Sequence, residues 1–270
     1  TGSIKISGSK NATLPILAAT ILSNKKITLK NVPFVKDVYT MIGLLKFIGI
    51  SFKIQKKKNF LQIVNKKKNL QTVAPYNLLK TMRAGVLVLG PLLAKYKKAK
   101  VSLPGGCAIG TRPIDLHLFA LEKLGAKIRI KNGYIHATAK NGLIGNNIIF
   151  PSISVGATEN AILASVNAKG KTIISNCAIE PEIQDMIFFL KKMGFKIKFL
   201  GKRKILINGS ESFKNVNHEI IFDRIELGTY IVAAALIGKK IKLFNINPKI
   251  ISTEIKFLKK MGVKIEIKKD

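Results

Sequence analysis

Apolar positions along the chain recur in one pattern four times. In each copy, apolar residues at helical spacing end in a glycine, and a stretch that alternates apolar with other residues follows. The pattern Leu-x-x-apolar-Gly-apolar-x-apolar-x-apolar covers residues 45–54, 121–130, 190–199 and 258–267. A helix commonly closes on a glycine in the left-handed conformation. We therefore predict four helices that end at Gly49, Gly125, Gly194 and Gly262, each followed by a strand.

A second helix and a strand precede this pattern in every copy. The predicted helices are 14–22, 82–94, 155–167 and 225–237, and the predicted strands are 27–29, 101–103, 172–174 and 241–243. Near the start of each later helix stands a proline, namely Pro33, Pro113, Pro181 and Pro248. The predicted unit is helix, strand, helix, strand, strand, about 70 residues long. Such repetition predicts an α/β fold of symmetrically packed units.

Copy two carries an insertion. From the last apolar residue of its first strand to the proline it has 10 residues, where the other copies have 4, 7 and 5. The inserted segment, 104–112, has glycines at both ends and Cys107 between them, which is typical of a mobile loop that closes over a site. A lone cysteine is more often a small buried core residue. Its polar, glycine-flanked surroundings favour the loop.

Charged and polar residues mark the starts of the first helices. These starts hold Lys10-Asn11, then Lys80 and Arg83, then 154–158, and then Asp223-Arg224. Helix N-termini favour anions, and basic side chains beside them strengthen such a site. If the repeat brings the four starts together, they would line one pocket for a phosphate-rich ligand. The alternative is that Asn11, Ser154 and Asp223 are ordinary helix caps.

The net charge of +33 raises the possibility of nucleic-acid binding. Only five of the 47 basic residues are arginines, however, and the lysines cluster in turns and on alternating strand positions. That distribution is typical of a solvated surface, so we expect no nucleic-acid partner.

Hydropathy and cysteine content point to a reducing, cytoplasmic location. The longest uncharged stretch, 84–94, is too short to span a bilayer, and the apolar run near the N-terminus is interrupted by Pro15. Two cysteines cannot form a disulfide framework, and no His or Cys spacing predicts a metal site. We expect no membrane, metal or cofactor.

Six segments, in order along the chain, resemble the enolpyruvyl transferase family, and within it the members that act on UDP-N-acetylglucosamine. The segments are 7–15, 80–84, 103–107 with 111–117, 154–158, 180–183 and 223–226. The resemblance implies an inside-out α/β barrel of six units in two domains, of which four units are present. Residues 10–221 would form the first domain with the lid loop 104–112, and residues 1–9 and 222–270 an incomplete second domain. We expect this piece to be inactive by itself.

The resemblance also implies a reaction and a set of site residues. The enolpyruvyl group of phosphoenolpyruvate would pass to the 3-hydroxyl of UDP-N-acetylglucosamine, with release of phosphate, as the first committed step of peptidoglycan synthesis. Cys107 would be the proton donor, and Lys10 and Asn11 would bind phosphoenolpyruvate. The residues implied for UDP-N-acetylglucosamine are Arg83, Arg112, Pro113, Ile114, Asp115, Leu116, Ser152, Ile153, Ser154 and Val155, with Glu182, Asp223 and Arg224 in support. Ser152 departs from the family, which often has Lys there.

Three alternatives remain open. The sister enzyme that acts on 3-phosphoshikimate shares the repeat, but is expected to carry Asp-Lys-Ser near the first helix and lacks the Gly-Gly-Cys segment. The other two are a polyanion-binding module and a relative that binds the nucleotide sugar without turnover. The sequence does not predict an oligomeric state.

Overall fold

The computed structural model describes residues 1–64, 70–103, 114–210 and 214–268, and its elements follow the repeat. The first part contains β1 (Gly2–Lys5), α1 (Lys10–Ala19), β2 (Ile27–Lys30), α2 (Lys36–Ile48), β3 (Ser51–Gln55) and β4 (Phe60–Val64). Copy two contains β5 (Val73–Ala74), α3 (Tyr76–Leu79), α4 (Leu89–Tyr96), β6 (Lys98–Ser102), α5 (Asp115–Lys123), β7 (Lys127–Lys131) and β8 (Tyr134–Thr138). Copy three contains β9 (Asn147–Ile149), α6 (Val155–Ser165), β10 (Lys171–Ser175), α7 (Pro181–Lys192), β11 (Lys196–Gly201) and β12 (Lys204–Asn208). Copy four contains β13 (Val216–Glu219), α8 (Arg224–Ile237), β14 (Ile241–Phe244) and α9 (Ser252–Lys260).

Three four-stranded sheets share one topology. Their strand orders are β13-β2-β4-β3, β5-β6-β8-β7 and β9-β10-β12-β11, and in each the first pair is parallel and the others antiparallel. A strand therefore precedes the first helix of each unit, and the predicted unit lacked it. The missing strand of the first sheet is β13, whose residues 216–219 pair with 27–30. Residues 2–5 of β1 pair in turn with 241–244 of β14.

The helix-closing glycines have the predicted conformation. Gly49, Gly125, Gly194 and Gly262 have φ values of 117°, 88°, 105° and 90°. Only glycine adopts this left-handed region without a steric cost from Cβ. At the end of α2, the Gly49 amide donates to the Leu45 carbonyl at 3.0 Å. The glycine prediction is confirmed in all four copies.

Two predicted elements differ from the structure. The predicted helix 82–94 is a 3₁₀ segment, Arg83–Val88, followed by α4. Pro91 disfavours a continuous α-helix here, because it has no N–H and its ring crowds the carbonyl four residues earlier. The strand predicted after Gly262 is not formed, since residues 263–268 have no regular structure. Its counterpart β3 pairs with β4, and a single strand cannot satisfy its own backbone groups.

The helices lie inside and the sheets outside, so the predicted inside-out α/β arrangement is confirmed. Helix α6 packs against α4 and α5, and α1 packs against α2 and α7. Along β3 and β4 the burial alternates, as expected for sheets with one face towards the helices. One large core joins the first three copies, and a smaller cluster contains Ile6, Phe222, Leu227, Ile231, Ile251 and Ile255.

The lengths of the helices bear on membrane insertion. Within the described ranges, no helix is both long and apolar enough to cross a bilayer.

Candidate active site

A cleft of about 260 Å³ lies where α1, α6, α8 and the 3₁₀ helix Arg83–Val88 of copy two begin. Copy one contributes Asn11, copy two Ala84 next to Arg83, copy three Val155 and copy four Arg224. The full lining is Asn11, Leu14, Pro15, Ala84, Leu87, Val155, Glu159, Glu180, Glu182 and Arg224. The four helix starts therefore meet, as the repeat pattern predicted.

Hydrogen bonds from capping side chains fix three of these starts. Ser9 Oγ accepts from the Ala12 amide at 3.2 Å in α1, and Ser154 Oγ accepts from the Ala157 amide at 3.3 Å in α6. Asp223 Oδ1 caps α8 by accepting from two amides, at 2.8 and 3.1 Å. The capping interpretation is thus confirmed for Ser154 and Asp223.

Asn11 is not a cap. It is the second residue of α1, because Ser9 takes the capping position, and the Asn11 side chain is exposed and lines the cleft. An exposed amide at the mouth of a cleft is available to a ligand.

Lys10 and Asp223 tie neighbouring elements together. Lys10 Nζ lies 3.0 Å from Asp37 Oδ2 of α2, with both side chains partly exposed. The Lys10 amide donates to Asp223 Oδ2 at 3.4 Å, which joins the starts of α1 and α8. An anionic ligand at this corner would meet the Lys10 ammonium beside the N-terminus of α1.

Three carboxyl groups line the cleft beside one guanidinium. Arg224 Nε donates to Glu182 Oε1 at 2.9 Å, and the Glu182 side chain is almost fully buried. Glu159 is also buried, and its pKa is raised well above its usual range by burial, followed by the nearby Glu182 and Glu180 carboxylates. Its surroundings therefore favour the neutral acid more than those of an exposed glutamate do, and the acid form can donate a hydrogen bond.

Arg83 and Asp115 flank a buried histidine next to the start of α6. Burial and the Arg83 charge lower the pKa of His117 to about 4, and the Asp115 charge opposes that shift. His117 is consequently neutral at pH 7. A Cβ on Gly156 would lie 3.1 Å from His117 Cε1, so a larger residue there would crowd the ring.

Asn160 fixes the tautomer of His117. The Gly90 amide donates to Asn160 Oδ1 at 2.8 Å, which orients the Asn160 amide group. Asn160 Nδ2 then donates to the Val86 carbonyl and to His117 Nδ1, both at 3.2 Å. Because Nδ1 accepts, the ring proton lies on Nε2, the atom that faces Gly156.

The remaining predicted residues lie around the same region. Ile114 and Leu116 are half-buried at the start of α5, whereas Ser152, Ile153 and Val155 are exposed just before and at the start of α6. Cys107, Arg112 and Pro113 lie outside the described residues. Among the described residues, no cluster of three or more His, Cys, Asp or Glu side chains could hold a metal.

Sequence reasoning missed Glu159, Glu180 and His117 as site residues. It sought cations for a phosphate-rich ligand, whereas the cleft also contains acidic groups. Glu159 had a signal in the sequence, because it is the only charged residue of the otherwise uncharged α6. A charge in an apolar helix needs either a partner or a proton.

Comparison with known proteins identifies the family. The family model for EPSP synthase (3-phosphoshikimate 1-carboxyvinyltransferase) matches residues 1–270. The chain belongs to this enolpyruvyl transferase family. A curated relative from Pelagibacter ubique, a UDP-N-acetylglucosamine 1-carboxyvinyltransferase, is 60% identical over 100% of this chain and 64% of its own length. A relative of the same name from Acinetobacter guillouiae is 47% identical, over 98% of this chain and 62% of its own length.

The chain thus spans about 64% of the length of the first of these enolpyruvyl transferases. Among solved structures, the enolpyruvyl transferase NikO from Streptomyces tendae matches with a TM-score of 0.88 and 19% identity. That match covers 100% of this chain and 64% of the NikO chain. At this identity the likeness supports the fold, and the site has to be argued from the residues themselves.

Proposed function

We propose that the native protein containing this chain transfers the enolpyruvyl group of phosphoenolpyruvate to the 3-hydroxyl of UDP-N-acetylglucosamine. The observation that carries the proposal is the meeting of four helix starts at one cleft, in a chain 60% and 47% identical to relatives named for this acceptor. Aligned helix N-termini favour anionic groups, and both substrates carry phosphate. The reaction would serve peptidoglycan synthesis in the cytoplasm.

The chemistry requires addition followed by elimination. The sugar hydroxyl loses its proton to a base and its oxygen bonds to C2 of phosphoenolpyruvate, while C3 gains a proton from an acid, which gives a tetrahedral adduct. Loss of phosphate and of one proton from C3 then restores the double bond in the enolpyruvyl ether. A proton donor near C3 and cations around the carboxylate and phosphate lower the barriers of these steps.

Each predicted residue has a role in this proposal. Cys107 donates the proton to C3, and Lys10 with Asn11 binds phosphoenolpyruvate. Arg83 with 112–116 and 152–155 binds UDP-N-acetylglucosamine. The support is the position of Arg83 beside Asp115 and His117, next to the start of α6.

Glu182, Asp223 and Arg224 would support the site where the two cores adjoin. Asp223 holds the starts of α1 and α8 together, and Arg224 pairs with Glu182 of α7. The proposed division at residues 9 and 221 is in keeping with the two hydrophobic clusters. Neutral Glu159 could donate a hydrogen bond to a ligand anion, a role that an ionised carboxylate could not perform.

Phosphate release by the full-length native protein tests the proposal. Both substrates should release phosphate, and Cys107→Ala should lower turnover by roughly 100-fold or more, the usual contribution of a positioned general acid. Cys177→Ala is the matched control, since Cys177 is fully buried and burial raises the pKa of its thiol. Retained turnover in Cys107→Ala would contradict the role of the thiol.

Further arms separate the alternatives. Turnover with 3-phosphoshikimate in place of the nucleotide sugar would favour the sister activity. Binding of UDP-N-acetylglucosamine without phosphate release would indicate a binding protein. Affinity for nucleic acid that falls steeply with salt and is unchanged by Cys107→Ala would indicate a polyanion-binding module.

A further inference from the structure

Three asparagines occupy equivalent positions directly after a strand. Asn31 follows β2, Asn176 follows β10 and Asn245 follows β14, with φ values of 56°, 54° and 64°. Each side-chain Nδ2 donates to one distant carbonyl. The acceptors are Ile220 O at 2.9 Å, Phe150 O at 2.9 Å and Ile6 O at 2.8 Å, respectively.

The three acceptor carbonyls are equivalent as well. Each lies just after an edge strand, a few residues before a first helix: Ile6 before α1, Phe150 before α6 and Ile220 before α8. The short segments in between lead to Lys10, to 152–155 and to Asp223, which are the candidate ligand-binding and supporting residues. Each asparagine therefore anchors the segment that delivers one set of site residues to the cleft.

A left-handed turn by itself does not account for these bonds. Asn59 and Asn132 are also left-handed, at φ 47° and 51°, and lie in the turns between β3 and β4 and between β7 and β8. Glycine would satisfy the same backbone conformation. Asn31, Asn176 and Asn245 differ from these two turn residues because each donates to the carbonyl directly after an edge strand. The donor and the acceptor are 26 to 239 residues apart in sequence. The Asn31 turn also packs tightly there, since a Cβ on Gly8 would lie 1.7 Å from Asn31 O.

Copy two departs from this arrangement. Directly after β6, where the other copies have asparagine, the sequence has Leu103. Leucine has no side-chain amide, so Leu103 cannot make the equivalent bond. The segment after β5 is held differently, by the Tyr76 amide, which donates to Tyr134 Oη at 3.4 Å. The asparagine is thus replaced in the copy that carries Cys107.

We propose that Asn31, Asn176 and Asn245 are positioning residues that set where the cleft segments lie relative to one another. The proposal rests on the proposed function for its substrate assignments. Asn176 positions the segment for UDP-N-acetylglucosamine, and Asn245 positions the segment for phosphoenolpyruvate. Asn31 positions Asp223, which joins the starts of α1 and α8.

Substrate-selective kinetics of the full-length native protein test the proposal. Asn176→Gly and Asn245→Gly keep the left-handed turn and remove only the amide. A lost hydrogen bond corresponds to roughly 10-fold in binding. We expect Asn176→Gly to raise KM for UDP-N-acetylglucosamine by about that factor and to leave KM for phosphoenolpyruvate within about 2-fold. Asn245→Gly should do the reverse, and Asn132→Gly, the matched control, should change neither.

Several outcomes would overturn the proposal. Unchanged KM values, or equal rises for both substrates that follow a lower Tm, would mean that the asparagines only terminate strands. Hydrogen exchange provides a readout that needs no turnover, in case the wild-type protein shows none and the proposed function fails. Asn176→Gly should then speed exchange at the Phe150, Ala157 and Thr158 amides, which are hydrogen-bonded here. Unchanged exchange at these three amides would also refute it.

Discussion

Helices α6 and α8 occupy the same position in two copies of the repeat but differ greatly in burial. Both are rich in apolar residues along their whole length. Nine residues of α6 are buried, whereas in α8 only Leu227 and Ile231 are. Near the end of α8, Leu236 and Ile237 are 78% and 88% exposed.

The repeat unit thus specifies the helix, while the elements around the helix bury it. Helix α6 is enclosed by α4, α5 and strands of its own sheet, whereas the chief contacts of α8 are with β14 and the 248–251 turn. A helix that is apolar on all sides is typical of one surrounded by other elements. In repeat architectures no single unit buries its apolar surface without its neighbours. The large core therefore encloses α6, whereas the small cluster leaves most of α8 exposed.

The largest expected contrast comes from one leucine in each helix. Leu163→Ala in α6 removes a fully buried side chain and should lower the free energy of unfolding by about 3 kcal/mol. Leu236→Ala in α8 removes an exposed one and should change it by less than about 0.5 kcal/mol in this chain. Urea unfolding of the two variants measures both values. Equal losses would show that α8 is as buried in solution as α6.

Acid should affect the large core through His117. Its folded pKa is about 4 and its unfolded pKa about 6.5, so between these values the unfolded chain binds more protons. The contribution of His117 to the free energy of unfolding is fully present above pH 6.5 and is lost as the pH falls towards 4. From pH 8 to pH 5 the loss should be about 2 kcal/mol, measured by urea unfolding at each pH.

A His117→Gln variant should lose much of this pH dependence. His136→Gln, on β8, controls for the removal of one histidine. The smaller region, residues 1–9 and 222–270, contains no histidine. Titration of His117 should therefore leave the hydrogen exchange of the backbone amides in that region unchanged. If the free energy of unfolding of His117→Gln falls with pH as steeply as that of the wild type, other groups cause the acid sensitivity.

Local signals predicted the parts of the fold that depend on local conformation. The four closing glycines and the helices before them follow from backbone preference and apolar spacing, which are visible within about ten residues of sequence. The meeting of the helix starts followed from the repeat, because equivalent units pack equivalently. The family resemblance supplied the site residues that local patterns could not specify.

Long-range pairing explains most of what the sequence did not predict. The edge strands β5 and β9 have only two and three residues, too few for a periodic signal. β13 is formed only because it pairs with β2, about 190 residues earlier. The opposite error at 263–267 has the same cause, since an alternating pattern without a partner strand does not make a sheet. Glu159 was missed because the search was for cations.

The smallest expected effect concerns the ion pair that joins the two regions. Arg224 of α8 pairs with Glu182 of α7, whose side chain is 5% exposed and lies near Glu159. Arg224→Met should lower the free energy of unfolding by about 1 to 2 kcal/mol, because it leaves a buried carboxylate without its cation. Lys10→Met breaks the more exposed pair with Asp37 and should cost less than about 0.5 kcal/mol. If the Glu182 charge causes the loss, adding Glu182→Gln to Arg224→Met should recover most of it. Additive losses in that double variant would show that the two side chains do not stabilise each other, and that the regions are joined mainly by other contacts, such as the bond from the Ser9 amide to the Ile221 carbonyl.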